Sequence, residues 1–324
     1  MFEIASSPIE QIDIQKIDLQ DPFYQISNQN QLNLLCQSIQ QMGVMHPPLL
    51  QCKGIKYRII CGFQRIFACK EMGKDVISSR VVKSDTPQHI CAKWAVVDNT
   101  SQRMLTPLEQ SRALTLIEKT LPEHSSIHAV AQQIGLPATA RAIQQIRPLC
   151  HMMQSIQQGI ANEYIAIPIA HEITQLPEND AYCFAQLFEN LCVGINIQRE
   201  LLTTCTEIGK RDNKSITDIL NSEPVQTIME KYADDRKQRI HYIRSCLKEL
   251  RYPHFSKLQQ QVETAIKNLK LDQQTRLVPP PYFENNIWSL QIRFNTKSEL
   301  NHCLADVSSK TDKINKIIEQ DIHI

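Results

Sequence analysis

The chain has 324 residues, enough for two or three domains with buried cores, and its 42% apolar content fits globular folding. With 35 basic against 34 acidic side chains the net charge is +1, which excludes a generally polybasic nucleic-acid binder but leaves room for a local basic patch. Eight glycines and 16 prolines exclude collagen-like and low-complexity classes, and no apolar run reaches the roughly 18 residues of a membrane span. The start of the chain lacks a basic stretch followed by an apolar one, and the 11 cysteines show no CxxC pairing. Both features lead us to expect a cytoplasmic protein with reduced, core-forming thiols at Cys36, Cys61, Cys69 and Cys91.

In chain order, Ile12, Ile14 and Ile17 mark a short extended segment before Asp21-Pro22. Leu32, Leu35, Cys36, Ile39 and Met42 then fall on one stripe of an amphipathic helix, with Gly43 where a left-handed cap belongs. Residues 49–52 and 57–61 read as a hairpin across Lys53-Gly54. A helix is expected from Arg65 to Met72, a strand over 76–82, and a further helix from a cap at Thr86 with Pro87 just inside. Thr106-Pro107-Leu108-Glu109 spells a capping box.

Beyond residue 100 the period becomes helical. Ser126–Ile134, Gly135 and a second helix from Thr139 to Pro148 have the spacing of a helix-turn-helix, with small Ala131 at the crossing. A reading helix there would present Thr139, Arg141, Gln144, Gln145 and Arg147, where arginine suits guanine and glutamine suits adenine. A plain helical hairpin in a bundle has the same spacing. Residues 236–257 carry seven basic side chains against Glu249 alone, over an apolar stripe of Ile240, Ile243, Leu247 and Leu250. That helix is either a solvated face or a grip on DNA phosphates. Trp288, Leu290, Ile292 and Phe294 alternate with polar residues as a half-buried strand does, and Trp288 on such a strand needs a cover, which motivates an expected homodimer.

Three segments of the first domain carry candidate chemistry. Ser38-Ile39 with Gly43 and His46-Pro47-Pro48 passes from helix to strand, and Gly62-Phe63-Gln64-Arg65 turns from strand into helix. The third is Asp98-Asn99. A helix N-terminus with Arg65 in its first turn favours phosphate, and a carboxylate beside an amide suits Mg²⁺. Each has a bland counterpart: a tight turn, a surface ion pair, a helix cap.

In this order and spacing the three segments resemble the ParB N-terminal domain, which shares its fold with sulfiredoxin. That family carries an "SI…G…QP" box, a "GERR" box and an "EN" box followed by "LNPIE", here Leu105-Thr106-Pro107-Leu108-Glu109. The resemblance spans about residues 8–190. It implies an α+β, multidomain chain with a ParB/sulfiredoxin-like α/β domain (1–100) and an all-helical helix-turn-helix domain (101–222), and the residue pattern beyond them reads as a basic helix plus a small α+β module (223–324). It also implies a pocket for CTP or ATP built from Gly43, His46, Gly62, Gln64, Arg65, Asp98 and Asn99, with Mg²⁺ on Asp98 and Asn99. Implied partners are double-stranded DNA, a second copy and a partner ATPase, at the nucleoid, in partition or transcription control.

The chain departs from the family's boxes at three places. His46 replaces a glutamine, Phe63 and Gln64 replace the acid and first arginine, and Asp98 is one methylene shorter than glutamate. Hydrolysis is therefore expected to be weak. Phe63 also stands where a sulfiredoxin needs its cysteine, which removes thiol repair chemistry. A nuclease or small-molecule kinase of this fold is the rival class, and it would draw its acids from Glu10, Asp13 and Asp18. A degenerate platform without chemistry is the third reading.

Overall fold

A computed structural model describes residues 8–27, 32–280 and 287–320. The reading of a missing leader at the first residues and the end of the triple proline at Pro281 lie outside them. The chain divides into two compact units, Met1–Gln198 and Arg199–Ile324.

In the first unit, β1 (Ile9–Asp13), β2 (Ile17–Asp18), β3 (Leu49–Lys53), β4 (Lys56–Cys61) and β5 (Val76–Val82) form one mixed sheet in the order β1-β5-β3-β4-β2. β1 pairs antiparallel with β5, β3 antiparallel with β4, and β3 runs parallel to β5. The segment expected to be a single strand over Ile12, Ile14 and Ile17 is broken. A 3-10 turn at Ile14–Lys16 carries the chain from one edge of the sheet to the other. Four strand spacings of a flat sheet span about 19 Å, while the four steps from Asp13 to Ile17 reach at most about 14 Å. The sheet must therefore curl, and all three isoleucines fall inside, at most 5% exposed.

α1 (Leu32–Met42) ends on Gly43 at φ +75°, as its apolar stripe predicts. α2 (Phe63–Glu71) begins two residues before the expected Arg65, because Gly62 at φ +86° is itself the N-cap. α3 (Gln88–Thr100) is capped by Pro87, one residue later than expected. α4 (Pro107–Thr120) carries the expected capping box, with Thr106 and Glu109 bonding reciprocally. One apolar core runs through the sheet, α2, α3 and α4 and on to Val130, Ala131 and Ile143.

The helical part continues with α5 (Ile127–Gln133), the Gly135 turn at φ +75° and α6 (Ala140–Ile146). The second helix was expected to run to Pro148. It stops at Ile146, and Pro148 sits instead in a 3-10 turn, Arg147–His151. α7 (Gln154–Ala161), α8 (Ile167–Ile173) and α9 (Glu178–Leu191) complete this unit.

The second unit opens within α10 (Ile195–Asp212) and continues with α11 (Ile216–Leu220), α12 (Glu223–Lys231), α13 (Arg236–Arg251) and α14 (Pro253–Leu269). A hairpin of β6 (Thr275–Val278) and β7 (Ser289–Ile292) follows, then α15 (Lys297–Ser309) and α16 (Thr311–Gln320). Trp288 packs on a small core of Leu269, Leu277, Ile314 and Ile317 within its own unit. Leu290 and Phe294, expected on its buried face, stay about half exposed.

Candidate functional site

The strand ends β3 and β4, the 43–48 loop, the start of α2 and the last turns of α3 converge on one corner of the first unit. A cleft of about 860 Å³ lies there, lined among others by His46, Arg65, Arg80, Trp94, Asp98 and Gln102. A smaller hollow of about 190 Å³ shares Arg65, Asp98 and Gln102 with it and adds Gly62, Gln64 and Asn99. Of the seven expected pocket residues, six line these spaces. Gly43 does not, and its place is the cap of α1.

Gly62 shapes the corner. Its carbonyl accepts from the N–H groups of Arg65 and Ile66 at 3.0 and 3.2 Å, so the N–H groups of Phe63 and Gln64 precede the first intrahelical bonds. A Cβ at Gly62 would stand 3.0 Å from Pro48 Cβ, so the turn and the 43–48 loop are pressed together. Arg65 bridges the two segments. Its Nη1 donates to the His46 carbonyl at 3.1 Å and its Nη2 lies 3.7 Å from Asp98 Oδ2. The other oxygen of Asp98 accepts from Gln102 Nε2 at 3.2 Å. Asn99 lies inside α3 and donates its amide to Ala95 O at 2.8 Å, one turn back. Gln64 Oε1 is buried without a hydrogen-bond partner.

Of the two expected Mg²⁺ ligands, Asp98 is engaged at both oxygens, with a guanidinium beside it, while Asn99 spends its amide nitrogen and not the Oδ1 that a metal would take. A hard dication needs an octahedral set of oxygens at about 2.0–2.1 Å, and this corner would have to release Arg65 to offer one. The residues do not fit Mg²⁺ as they stand.

Cys61 borders both spaces, but burial, with Asp98 nearby, pushes its thiol well above the ordinary range. Of the acids considered for an enzyme, Asp13 caps the 3-10 turn and Asp18 bonds Gln20 N, and neither they nor Glu10 line the cleft. Trp94, Arg80 and Gln102 were missed from sequence. The signal was there for one of them: Trp94 and Asp98 are spaced i, i+4 on one face of α3, and Gln102 follows in the turn that ends it.

In the helical part, Thr139 caps α6 through its hydroxyl, which accepts from Ala142 N at 3.2 Å. Thr139, Arg141, Gln144 and Gln145 are exposed while Ile143 is buried at 6%. Arg147 turns away to pair with Glu118 of α4. Histidines hold both ends of the helix: a ring nitrogen of His128 bonds Ala138 O at 2.9 Å, and one of His171 bonds Gln145 O at 2.8 Å. In α13, Ile243 and Leu247 are buried, as the stripe predicts. Arg236, Lys237 and Lys248 are exposed. Arg244 pairs with Glu200, Arg251 with Glu207, and Arg239 caps the carbonyls of Tyr232 and Ala233.

Residues 3–99 match the model of the ParB N-terminal domain. The chain is 27% identical over 148 residues to a nucleoid occlusion protein of Shouchella clausii, covering 45% of this chain and 50% of that protein. It is 26% identical over 190 residues to a "Probable chromosome 1-partitioning protein ParB" of Deinococcus radiodurans, covering 58% and 62%. The chain therefore spans half to three-fifths of the length of these relatives. A C-terminally truncated chromosome-partitioning ParB from Caulobacter crescentus, solved with CTP-gamma-S, overlays at 16% identity and a TM-score of 0.26, covering 56% of this chain and 98% of that one. So loose an overlay places no ligand here. No helix of the described residues is long and apolar enough to cross a membrane.

Proposed function

From a chain whose residues 3–99 are a ParB N-terminal domain, with distant homology to ParB and nucleoid occlusion partition proteins, we propose a DNA-binding partition or nucleoid occlusion protein. The observation that carries this is the amphipathic division of α6. Ile143 anchors it to the core, and Thr139, Arg141, Gln144 and Gln145 stand in solvent on a helix tied at both ends. A rigidly presented polar helix after a glycine turn can enter a major groove and read base edges. The exposed cations Arg236, Lys237 and Lys248 of α13 would add phosphate contacts that carry no sequence information. The corner between α2 and α3 takes a nucleotide in this reading, CTP or ATP by resemblance, and its occupancy modulates DNA binding. A homodimer, a partner ATPase and a place at the nucleoid complete the proposal. Leu290 and Phe294, half exposed on the C-terminal hairpin, supply an apolar surface for self-association.

Selection of bound fragments from random duplex DNA, with and without CTP or ATP, tests the reading. Enrichment of one sequence is expected, with loss of enrichment in an Arg141→Ala, Gln144→Ala variant. Equal retention of all sequences by both proteins would reject sequence reading by α6.

A further inference from the structure

We infer that the corner between Gly62 and Asp98 is built for a nucleoside or a nucleoside monophosphate held without Mg²⁺, and not for a metal-bound triphosphate. The inference rests on the nucleotide reading of the cleft and narrows it.

Free positive charge is scarce there. Arg65 and Arg80 are the only arginine or lysine side chains lining the cleft and its adjoining hollow among the described residues, and both are engaged within the protein. Arg65 in particular is spanned between the His46 carbonyl and the Asp98 carboxylate. Arg103, just beyond the hollow, spends both arms on Glu109. A triphosphate brings several negative charges, and its Mg²⁺ complex is still an anion. Sites that hold such groups surround them with unspent cations and helix N–H groups. The metal is refused for a separate reason: Asp98 faces Arg65 with one oxygen and Gln102 with the other. Any dication arriving at Asp98 meets a guanidinium already in place.

The other polar side chains around the hollow are neutral, amides among them. Gln64 lines the hollow with a buried carbonyl oxygen that lacks a donor, and Gln102 and Asn99, whose amide nitrogens go to Asp98 and Ala95, line it beside Gln64. An orphaned acceptor is satisfied by a ribose hydroxyl or an exocyclic amine, not by a phosphate oxygen. Trp94 gives the larger space an aromatic wall on which a base can stack. A single phosphate competes with the Asp98 carboxylate for Arg65 and sets less negative charge beside that carboxylate than a triphosphate would.

The full chain with Trp288→Phe leaves Trp94 as the only tryptophan, so fluorescence reports on the cleft directly. Cytidine, CMP, CTP and the adenosine series are titrated with and without Mg²⁺, with calorimetry in parallel. We expect monophosphate and triphosphate of one base to bind within about threefold of each other, and Mg²⁺ to change neither by more than about twofold. Asp98→Asn, which releases Arg65, is expected to favour CTP over CMP by about fivefold relative to the parent. Binding of Mg²⁺–CTP more than about threefold tighter than CMP overturns the inference and leaves the nucleotide reading standing. If no nucleoside or nucleotide binds by either method, the nucleotide reading fails and the inference falls with it.

Discussion

Arg103 grips Glu109 with both arms of its guanidinium, Nη2 to Oε1 at 2.6 Å and Nη1 to Oε2 at 2.7 Å, on a carboxylate that is only 3% exposed. Thr106 N also donates to Glu109, and Arg103 reaches Ser27, so the pair ties the segment before α1 to the start of α4.

Burial alone would raise the Glu109 carboxyl, but the bonds from Arg103, Thr106 and Ser27 outweigh it and hold the group at about 2, below its ordinary 4.5. A lowered folded-state value means stability that is present above 4.5 and drains away as pH falls towards 2. The amount is on the order of 3 kcal/mol. Urea unfolding at pH 7 and pH 3 should therefore show a steep loss in the parent, and Glu109→Gln should be weaker at pH 7 with a shallower fall. Parallel pH dependences would contradict this account.

Gly62→Ala is expected to destabilise by about 2 kcal/mol, because φ +86° strains any L side chain and the new Cβ meets Pro48 at 3.0 Å. Gly54→Ala is the matched control: its φ is +63° but nothing stands within 4 Å, so only the backbone strain of about 1 kcal/mol remains. The difference between the two urea midpoints measures the pressure of the 43–48 loop on the turn.

Local signals explain why much of this was legible in the sequence. Glycine marks Gly43, Gly54, Gly62 and Gly135 each sit at positive φ where a helix or hairpin must turn, and the Thr106 capping box announces α4. Long-range relations were not legible. That β1 and β2 lie on opposite edges of a curled sheet depends on pairings with residues 57–80, which the isoleucine pattern does not encode. The site residues were found one by one, but their pairing was not. Nothing in "DN" says that Asp98 faces Arg65, or that Asn99 turns its amide back on its own helix. The exposed Leu290 misled because alternation specifies a face and not what covers it.

Ser111 is fully buried and joins α4 to the turn after α6, donating to Arg147 O at 2.7 Å and accepting from Cys150 N at 2.8 Å. Ser111→Ala strands both backbone groups and should cost about 2 kcal/mol. Amide exchange at Cys150 should accelerate selectively; an unchanged protection factor there would mean that water replaces the hydroxyl.

On α13, reversal of Arg236 and Lys237 to glutamate separates a phosphate grip from a merely solvated face. If both touch DNA, the slope of log affinity against log salt becomes shallower by about 2. Arg244→Ala should leave the slope alone and cost under about 1 kcal/mol of stability, since its pair with Glu200 is 44% exposed on both sides.

The five polar candidates on α6 and at its two ends divide by where they point. Arg141 and Gln144 are exposed and free of the core, so alanine at either should leave thermal unfolding unchanged while weakening binding to the selected sequence by about 1–3 kcal/mol, chiefly through lost discrimination at one base pair. Arg147 is committed to Glu118 across to α4. Its alanine variant should do the reverse, with a small loss of stability and the sequence preference retained. Binding measured against the selected site and single-base variants of it distinguishes the two patterns. If Arg147→Ala relaxed specificity while Arg141→Ala did not, the groove-facing side of α6 would have to be its C-terminal end, and the orientation proposed for this helix would be wrong.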